Sequence, residues 1–329
     1  MPGVTSADVA RESGVSRTTV SYVLNAKDGV VISEATRRRV QETAARLGYS
    51  PSAAARTLRS GRSDLVLCVL PNWPIGPVID TLLDHLARGL AEQGLSVLVH
   101  HGRGPRPLAE LWRAVTPRAV VGFTAFAPED ERAMRQAGIQ VIGTALDEDA
   151  ENPDVYSVSQ TRIGRLQVRH LHERGRRRIA YAAPADPRVA EFAQRRLAGA
   201  RLECADLGLD EPLVQDVGLE VASAAAAAQV WRTAEPPVDA VASYNDEVAL
   251  AVLAGLRAEG WSVPRDVAVI GVDDVPAARL AEPPLSTVSQ AVVTQAEYLA
   301  ASVLAALAGD DHPPPRPGDL LTVVPRASS

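Results

Sequence analysis

Val4-Thr-Ser-Ala-Asp-Val-Ala-Arg-Glu-Ser-Gly-Val-Ser-Arg-Thr-Thr-Val-Ser-Tyr-Val-Leu24 carries two short apolar repeats on either side of Gly14. Val9, Ala10, Val15, Val20, Val23 and Leu24 fall at spacings that place them on the inner faces of two helices, with Gly14 breaking the pattern between them. Such a pair is a helix-turn-helix. Thr5, with Asp8 three residues on, and Ser16 stand at the two starts, where a side-chain oxygen can accept an orphan backbone N–H. With Val20, Val23 and Leu24 turned inward, Arg17, Thr18, Ser21 and Tyr22 face outward. Hydroxyls, one guanidinium and one phenol suit a major groove, although they also suit the solvated face of an ordinary small bundle.

Val31 to Gly48 reads as a third helix that opens at Ser33, carries Val40, Ala44 and Leu47 on one face and closes at Gly48. Three helices of this size bury one small core. Pro51 then starts a run of strong helix formers through Ala55 and Leu58 that is only about two turns long. A helix so short is marginal alone in water, so it forms only when braced by a second copy of itself or by a DNA groove.

The motifs Asp8-Val-Ala, Gly14-Val-Ser, Thr19-Val-Ser21, Val23-Leu-Asn25, Leu47-Gly-Tyr49-x-Pro51 and Ala55-x-x-Leu58 stand at fixed spacings. Residues 4 to 61 therefore resemble the DNA-binding headpiece and hinge of the lactose-repressor (LacI/GalR) family of bacterial transcription regulators. The resemblance implies that Arg17, Thr18 and Tyr22 reach base edges. It implies also that Thr5, Ser6, Ser16, Thr19, Ser21 and Asn25 hold phosphates, and that Ala55 and Leu58 enter the minor groove. Leu58 would be the wedge that unstacks the central step and bends the operator. Tyr22 departs from the Arg usual in the family, and a tyrosine cannot read guanine bidentately, so the preferred half-site should differ from the common one.

Charge divides along the same line. Residues 1 to 62 hold ten Lys or Arg against five acids, a net of +5, and the whole chain is −6, which leaves −11 on the remainder. A small basic module on an acidic body takes nucleic acid at the module and repels it elsewhere. The 329 residues, 46% of them hydrophobic, make room for a headpiece and about two further domains. Cys68 lies in a strand-like run and Cys204 in a helical one, which is no disulfide framework and suits a reducing compartment. Neither a membrane-spanning apolar stretch nor a secretory leader is present, so the expected location is the cytoplasm.

The body alternates strands and helices. Leu65–Leu70, Leu95–Val99, Ala119–Phe123 and Val141–Gly143 read as strands, separated by helices over 78–93, 108–114 and 129–137. A second set follows from near Tyr156, with strands at 178–182, 240–242 and 267–270, helices over 161–174, 195–205, 222–232, 247–259 and 294–307, and a final strand over 320–324. Periodicity alone gives two α/β halves. Their tandem order resembles the two-lobed type I periplasmic-binding-protein core that the family uses to bind its effectors. The expected plan is thus an all-α headpiece over residues 1–50, a hinge helix and linker over 51–62, and an effector-binding and dimerisation core over 63–329.

Ligands of open parallel sheets sit at the carboxyl ends of strands. Three places match the family's effector-contact motifs: Arg196-Leu-Ala-Gly199, Tyr244-Asn245-Asp246 and Gly271-Val-Asp273-Asp274. The planar fork of Arg196, the donor and acceptor of Asn245 and the acceptor of Asp273 suit a small polar ligand. A surface ion pair, a helix cap and a turn are the plainer readings of the same three. Trp73 either stacks on a ligand or seals the cleft edge. Ser159-Gln160 stands where many members carry an acidic residue and a polar partner, and Leu219 where sugar-responsive members place an aromatic. The resemblance implies a carbohydrate or nucleoside effector, without naming which.

Catalysis has little support. Gly102-Arg-Gly104-Pro is no dinucleotide fingerprint, and no phosphate loop or nucleophile elbow is present. His100-His101 and His170-Leu-His172 diverge on their elements and make poor metal ligands. The expectation is a regulator without enzymatic activity, cofactor or metal, acting as a homodimeric repressor on a near-palindromic operator. The alternative is a solute-binding protein that has kept the same core.

Overall fold

The computed structural model describes residues 4–24, 31–49, 63–102, 107–143, 158–310 and 314–329. Asn25, Ala55, Leu58 and the expected hinge helix lie outside them. The chain divides into two units, Met1–Asp64 with Arg113–Pro117, and Leu65–Trp112 with Arg118–Ser329.

Three helices, α1 (Ser6–Ser13), α2 (Arg17–Leu24) and α3 (Glu34–Leu47), make up the described part of the headpiece. Val9, Ala10, Val20, Val23, Val40 and Ala44 are buried together, with Val15, Leu24, Ile32, Leu47 and Tyr49 packed around them. The caps work as oxygen acceptors at Ser16, which takes the Thr19 N–H at 3.0 Å, and at Ser33, which takes that of Thr36 at 3.3 Å. At α1 Thr5 and Asp8 form a reciprocal capping box. In it Asp8 accepts from Thr5 N at 2.9 Å and from Thr5 Oγ1 at 2.7 Å, which holds the Asp8 carboxyl down at about 2. Gly14 and Gly48 close α1 and α3 in the left-handed region, at φ 67° and 64°.

The second unit holds two sheets. The first lobe is a parallel four-stranded sheet of order β2-β1-β3-β4, from β1 (Leu65–Leu70), β2 (Ser96–His101), β3 (Ala119–Gly122) and β4 (Gln140–Gly143). Successive residues of β1 point to opposite faces, so Val66, Cys68 and Leu70 pack with Leu82, Leu86 and Leu90 of α4 (Pro77–Ala91). Leu67 packs the other way, with Trp112 of α5 (Leu108–Val115) and Met134 of α6 (Pro128–Gln136). Both faces are covered, which is why β1 reads as an unbroken apolar run.

The second lobe is a six-stranded sheet of order β10-β9-β8-β7-β5-β6: β5 (Ile179–Pro184), β6 (Leu213–Val217), β7 (Ala240–Ser243), β8 (Ala268–Val272), β9 (Ser286–Ser289) and the antiparallel edge β10 (Thr322–Val324). Two helix pairs pack on it, α7 (Gln160–Glu173) with α8 (Ala190–Asp206), and α9 (Val221–Thr233) with α10 (Asp246–Ala258). After the short α11 (Pro276–Leu280) and β9, the chain crosses back. Its last helix, α12 (Val292–Ala308), buries Ala296, Leu299, Ala300 and Val303 in the core of the first lobe, and β10 then returns to the second.

The larger departures from the sequence reading are two boundaries and two short elements. β2 runs on to His101, because His100 and His101 pair with Val69 and Leu70. Helix α8 begins at Ala190 rather than Arg195. The edge strand β6 and the one-and-a-half-turn α11 were not anticipated: β6 mixes Gln215 and Asp216 into five residues, and α11 is too short for a period to show.

Candidate functional site

On the headpiece, Arg17 and Thr18 of α2 are exposed, while Ser21 and Tyr22 are half-buried against it. Thr5 and Ser16 are exposed at the two helix starts, and Ser6 and Thr19 half-buried beside them. Ser16 Oγ and Thr19 Oγ1 lie 2.9 Å apart, so both hydroxyls gather at the α2 start, where backbone N–H groups favour an anion. Arg17 makes no ion pair among the described residues, which leaves its fork unclaimed.

The second unit contains a cleft of about 480 Å³ between its lobes. Its walls come from the carboxyl ends of strands: Trp73 after β1, Phe123 after β3, Gly143 of β4, Asp186 after β5, Leu219 after β6, Tyr244 and Asn245 after β7, and Asp273 after β8. That is where parallel sheets expose backbone ends and turn residues, and where ligands bind in such folds. Arg196, Asn245, Asp273 and Trp73, named from the sequence, all line this one cleft.

Arg196 is held from three sides. Its Nε donates to Gln160 Oε1 at 2.8 Å, its Nη1 donates to the Tyr244 carbonyl at 2.6 Å, and its guanidinium lies 4.7 Å from the Tyr244 ring centroid. Only 4% of the residue is exposed. The α7–α8 contact makes this possible. A Cβ on Gly164 would stand 1.8 Å from the Arg196 carbonyl oxygen, and one on Gly199 would stand 1.8 Å from that of Thr161. Glycine on both helices lets them touch backbone to backbone, which brings Gln160 at the start of α7 against Arg196. The surface ion pair that was the plainer reading of Arg196 is absent among the described residues.

Asp273 sits at φ 113° and Asp274 at φ 55°, a region that side-chain-bearing residues rarely occupy and that functional sites often hold. Asp273 N donates to the Val288 carbonyl at 2.8 Å, and Asp273 Oδ1 accepts from Gln290 Nε2 at 2.6 Å. Desolvation raises its carboxyl to about 6, against the pull of the Arg196 charge. Asp274 points elsewhere, paired with Arg326 and with Arg279, and braces the turn. Below, the fully buried Asp246 accepts from Thr287 Oγ1 at 2.7 Å and Val275 N at 2.9 Å, and burial pushes it up to about 7.

Asn245 serves two ends. Its Oδ1 caps α10 by accepting the Val248 N–H at 2.9 Å, while its Nδ2 lies 3.5 Å from Glu247 Oε2 in the cleft. Trp73 meets Phe192 edge-on at 4.9 Å and Phe123 at 6.4 Å, so one indole touches an aromatic of each lobe. Sequence reasoning marked Tyr244 only as part of a motif and Gln160 only as a departure from the family pattern, and it missed Phe192, Glu247 and Gln290. Phe192 lies four residues before Arg196, hence on the same helical face, and Gln160 is the first residue of its helix.

The two cysteines are buried and unbonded, and burial pushes Cys68 to about 12 and Cys204 to about 11, far from a reactive thiolate. His170 meets Ser329 Oγ at 2.7 Å and His172 meets Arg177 at 2.6 Å, on different partners. Among the described residues no group of three or more His, Cys, Asp or Glu is placed to hold a metal ion, and no helix is long and apolar enough to cross a membrane.

Residues 5–52 match the bacterial regulatory proteins of the lacI family, and residues 168–329 match the periplasmic binding protein-like domain. The HTH-type transcriptional regulator CelR of Thermobifida fusca is 32% identical over 320 residues, covering 94% of this chain and 93% of the relative. The chain belongs to the lacI family. This lacI-family chain is also 30% identical to the HTH-type transcriptional repressor PurR of Vibrio atlanticus, covering 87% of this chain and 86% of that one. Among solved structures, a transcriptional regulator CelR–cellobiose complex is 28% identical with a TM-score of 0.66, covering 99% of this chain and 100% of the other. The lac repressor dimer bound to operator and the anti-inducer ONPF shares the fold at a TM-score of 0.79 and 23% identity, over 99% of both chains. The relatives are DNA-binding transcriptional regulators, and this chain carries both parts of their architecture.

Proposed function

We propose that this regulator is a repressor that binds a near-palindromic operator as a homodimer and is controlled by a small polar effector, a sugar or nucleoside, in the cleft between its lobes. Residues 1–50 read the DNA, residues 51–62 form the hinge, and residues 63–329 bind the effector and dimerise. Arg17, Thr18 and Tyr22 reach base edges. Thr5, Ser6, Ser16, Thr19, Ser21 and Asn25 hold phosphates, and Ala55 and Leu58 enter the minor groove. Arg196, Asp273 and Asn245 grip effector oxygens, with Trp73 at the ligand's side.

One observation carries the cleft assignment: an arginine clamped by Gln160 and Tyr244 stands over the same cavity as a strained, half-buried aspartate. A relative's structure holds cellobiose and another relative is a repressor, which supports the sugar and the sign of regulation. The two-turn hinge expected from the sequence supports a dimer, because each copy would brace the other and a two-fold protein presents two recognition helices about one helical turn apart. An effector that prefers one arrangement of the lobes would move the two hinges apart and weaken operator binding through linkage.

Selection from a random duplex library with the full chain tests the reading. An inverted repeat should be enriched, with affinity that falls steeply with salt. Enrichment of a single unrepeated half-site, or of nothing, would refute the dimeric repressor.

A further inference from the structure

We infer that Asp246 and Thr287, which stand outside the cleft, are positioning residues: together they pin the backbone of the Asp273-Asp274 turn and so set how strongly the regulator takes its effector. The inference rests on the reading of the cleft as the effector site and adds a pair that acts on a ligand only through the shape of a turn.

Two consecutive residues with side chains, Asp273 and Asp274, hold positive φ, at 113° and 55°. Such backbone persists only where its surroundings over-determine it. Here three successive N–H groups are tied down. That of Asp273 donates to the Val288 carbonyl on β9 at 2.8 Å. The next two are taken by side chains. Asp274 N donates to Thr287 Oγ1 at 3.3 Å, and Val275 N donates to Asp246 Oδ2 at 2.9 Å. Thr287 Oγ1 donates in turn to Asp246 Oδ1 at 2.7 Å, so the two acceptors work as one unit.

This unit touches neither solvent nor the cleft. Asp246 and Thr287 are both fully buried, and neither lines the cavity. Asp246 makes no ion pair among the described residues, and the Asp273 and Asp274 carboxyls beside it oppose its charge. A buried acid without a counter-ion is costly, and an apolar side chain would fill the same space without that cost. What the acid gains is its hold on the turn. Gly271, paired with Thr287 across β8 and β9, makes the approach possible, because a Cβ there would stand 2.1 Å from Asp246 Oδ1. Both links survive a change of protonation. Ionised, the carboxylate accepts from both partners; neutral, one oxygen still accepts from Val275 while the O–H donates to Thr287 Oγ1. An asparagine side chain can do the same, and a valine in place of Thr287 cannot.

The test joins amide hydrogen exchange to calorimetric titration, both on the full chain. Without ligand, Thr287→Val should speed exchange of the 274 and 275 amides about tenfold, Thr287→Ser should restore it, and Asp246→Asn should leave it unchanged. The titrant is the tightest binder among glucose, galactose, mannose, ribose, cellobiose, adenosine and uridine. Thr287→Val should weaken it about tenfold, and Thr287→Ser should not. In an Asp273→Asn background that loss should disappear, because the pair acts through the carboxylate the turn presents, whereas a merely loosened fold would lose the same factor in both backgrounds. Gly271→Ala, which crowds the Asp246 carboxyl from the other side, should copy Thr287→Val and carries the same test should that variant not fold. If exchange or affinity is unchanged, or if the loss persists beside Asp273→Asn, the positioning role is wrong and the cleft assignment stands. If no compound binds the unsubstituted chain at millimolar concentration, the cleft assignment falls and the role falls with it.

Discussion

Gly164 lies so close under the backbone of Arg196 that a Cβ there would come within 1.8 Å of the Arg196 carbonyl oxygen. The obstacle is main chain, which cannot swing aside as a side chain can. Gly164→Ala, and equally Gly199→Ala, should drive α7 and α8 apart at a cost of about 3 kcal/mol and lower the unfolding temperature by roughly 5 °C or more. Scanning calorimetry of the full chain reads this directly. An unshifted transition in both variants would mean that the helices do not cross in contact.

Gln160 should matter for the effector through Arg196 alone. Both its polar atoms are engaged, Oε1 with Arg196 and Nε2 with the Val158 carbonyl at 2.9 Å, so it positions the guanidinium and has little left to offer a ligand. Gln160→Leu strands a buried N–H and frees the fork, at about 1–3 kcal/mol. Effector affinity should fall about tenfold and return largely in Gln160→Glu, which restores the acceptor. Titration calorimetry that found the Leu and Glu variants equally weak would point to a loss of packing instead.

Two desolvated carboxyls, one fully buried and one half-buried, make stability depend on pH. Both Asp246, at about 7, and Asp273, at about 6, keep their protons in the folded chain to higher pH than the ordinary value of 3.8. The native state therefore binds more protons than the unfolded chain between about pH 4 and 7, and stability falls as pH rises through that window and levels off above it. Urea midpoints at pH 5 should exceed those at pH 8, and Asp246→Asn should flatten the difference. Midpoints that rise toward pH 8 would reverse the assignment.

Effector binding should run the other way. Hydroxyl donors need Asp273 ionised, so affinity should drop as pH falls below about 6, and Asp273→Asn should remove that dependence along with much of the affinity.

On the headpiece, Arg17→Ala should cost about 1–3 kcal/mol against the selected operator and relax the preference at one base position in each half-site. Tyr22→Arg should instead move the preference toward guanine. Leu58→Ala should weaken the intact operator while leaving binding to nonspecific duplex at the same salt unchanged. Electrophoretic titrations on the operator and on single-base variants separate the three.

Legibility in the sequence followed periodicity. β1 was readable to the residue because it is buried on both faces and bounded by Pro71, and α3 because Ser33 and Gly48 mark its ends chemically. β6 escaped because it is a five-residue edge with polar residues turned to water. Among cleft residues, Arg196, Asn245 and Asp273 could be named because their segments resemble the family's effector-contact motifs. Gln160 is different in kind. It meets Arg196 only because two glycines thirty-five positions apart let α7 and α8 touch, a tertiary relation that no local pattern announces.

The linkage between cleft and operator is most directly read by the anisotropy of a labelled, selected operator titrated with the full chain, with and without a compound that saturates the cleft. Two chains should bind per duplex, and Kd should change by about tenfold or more when the cleft is filled, a change abolished in Asp273→Asn. An operator Kd that stays the same with the cleft saturated, or a stoichiometry of one chain per duplex, would contradict it.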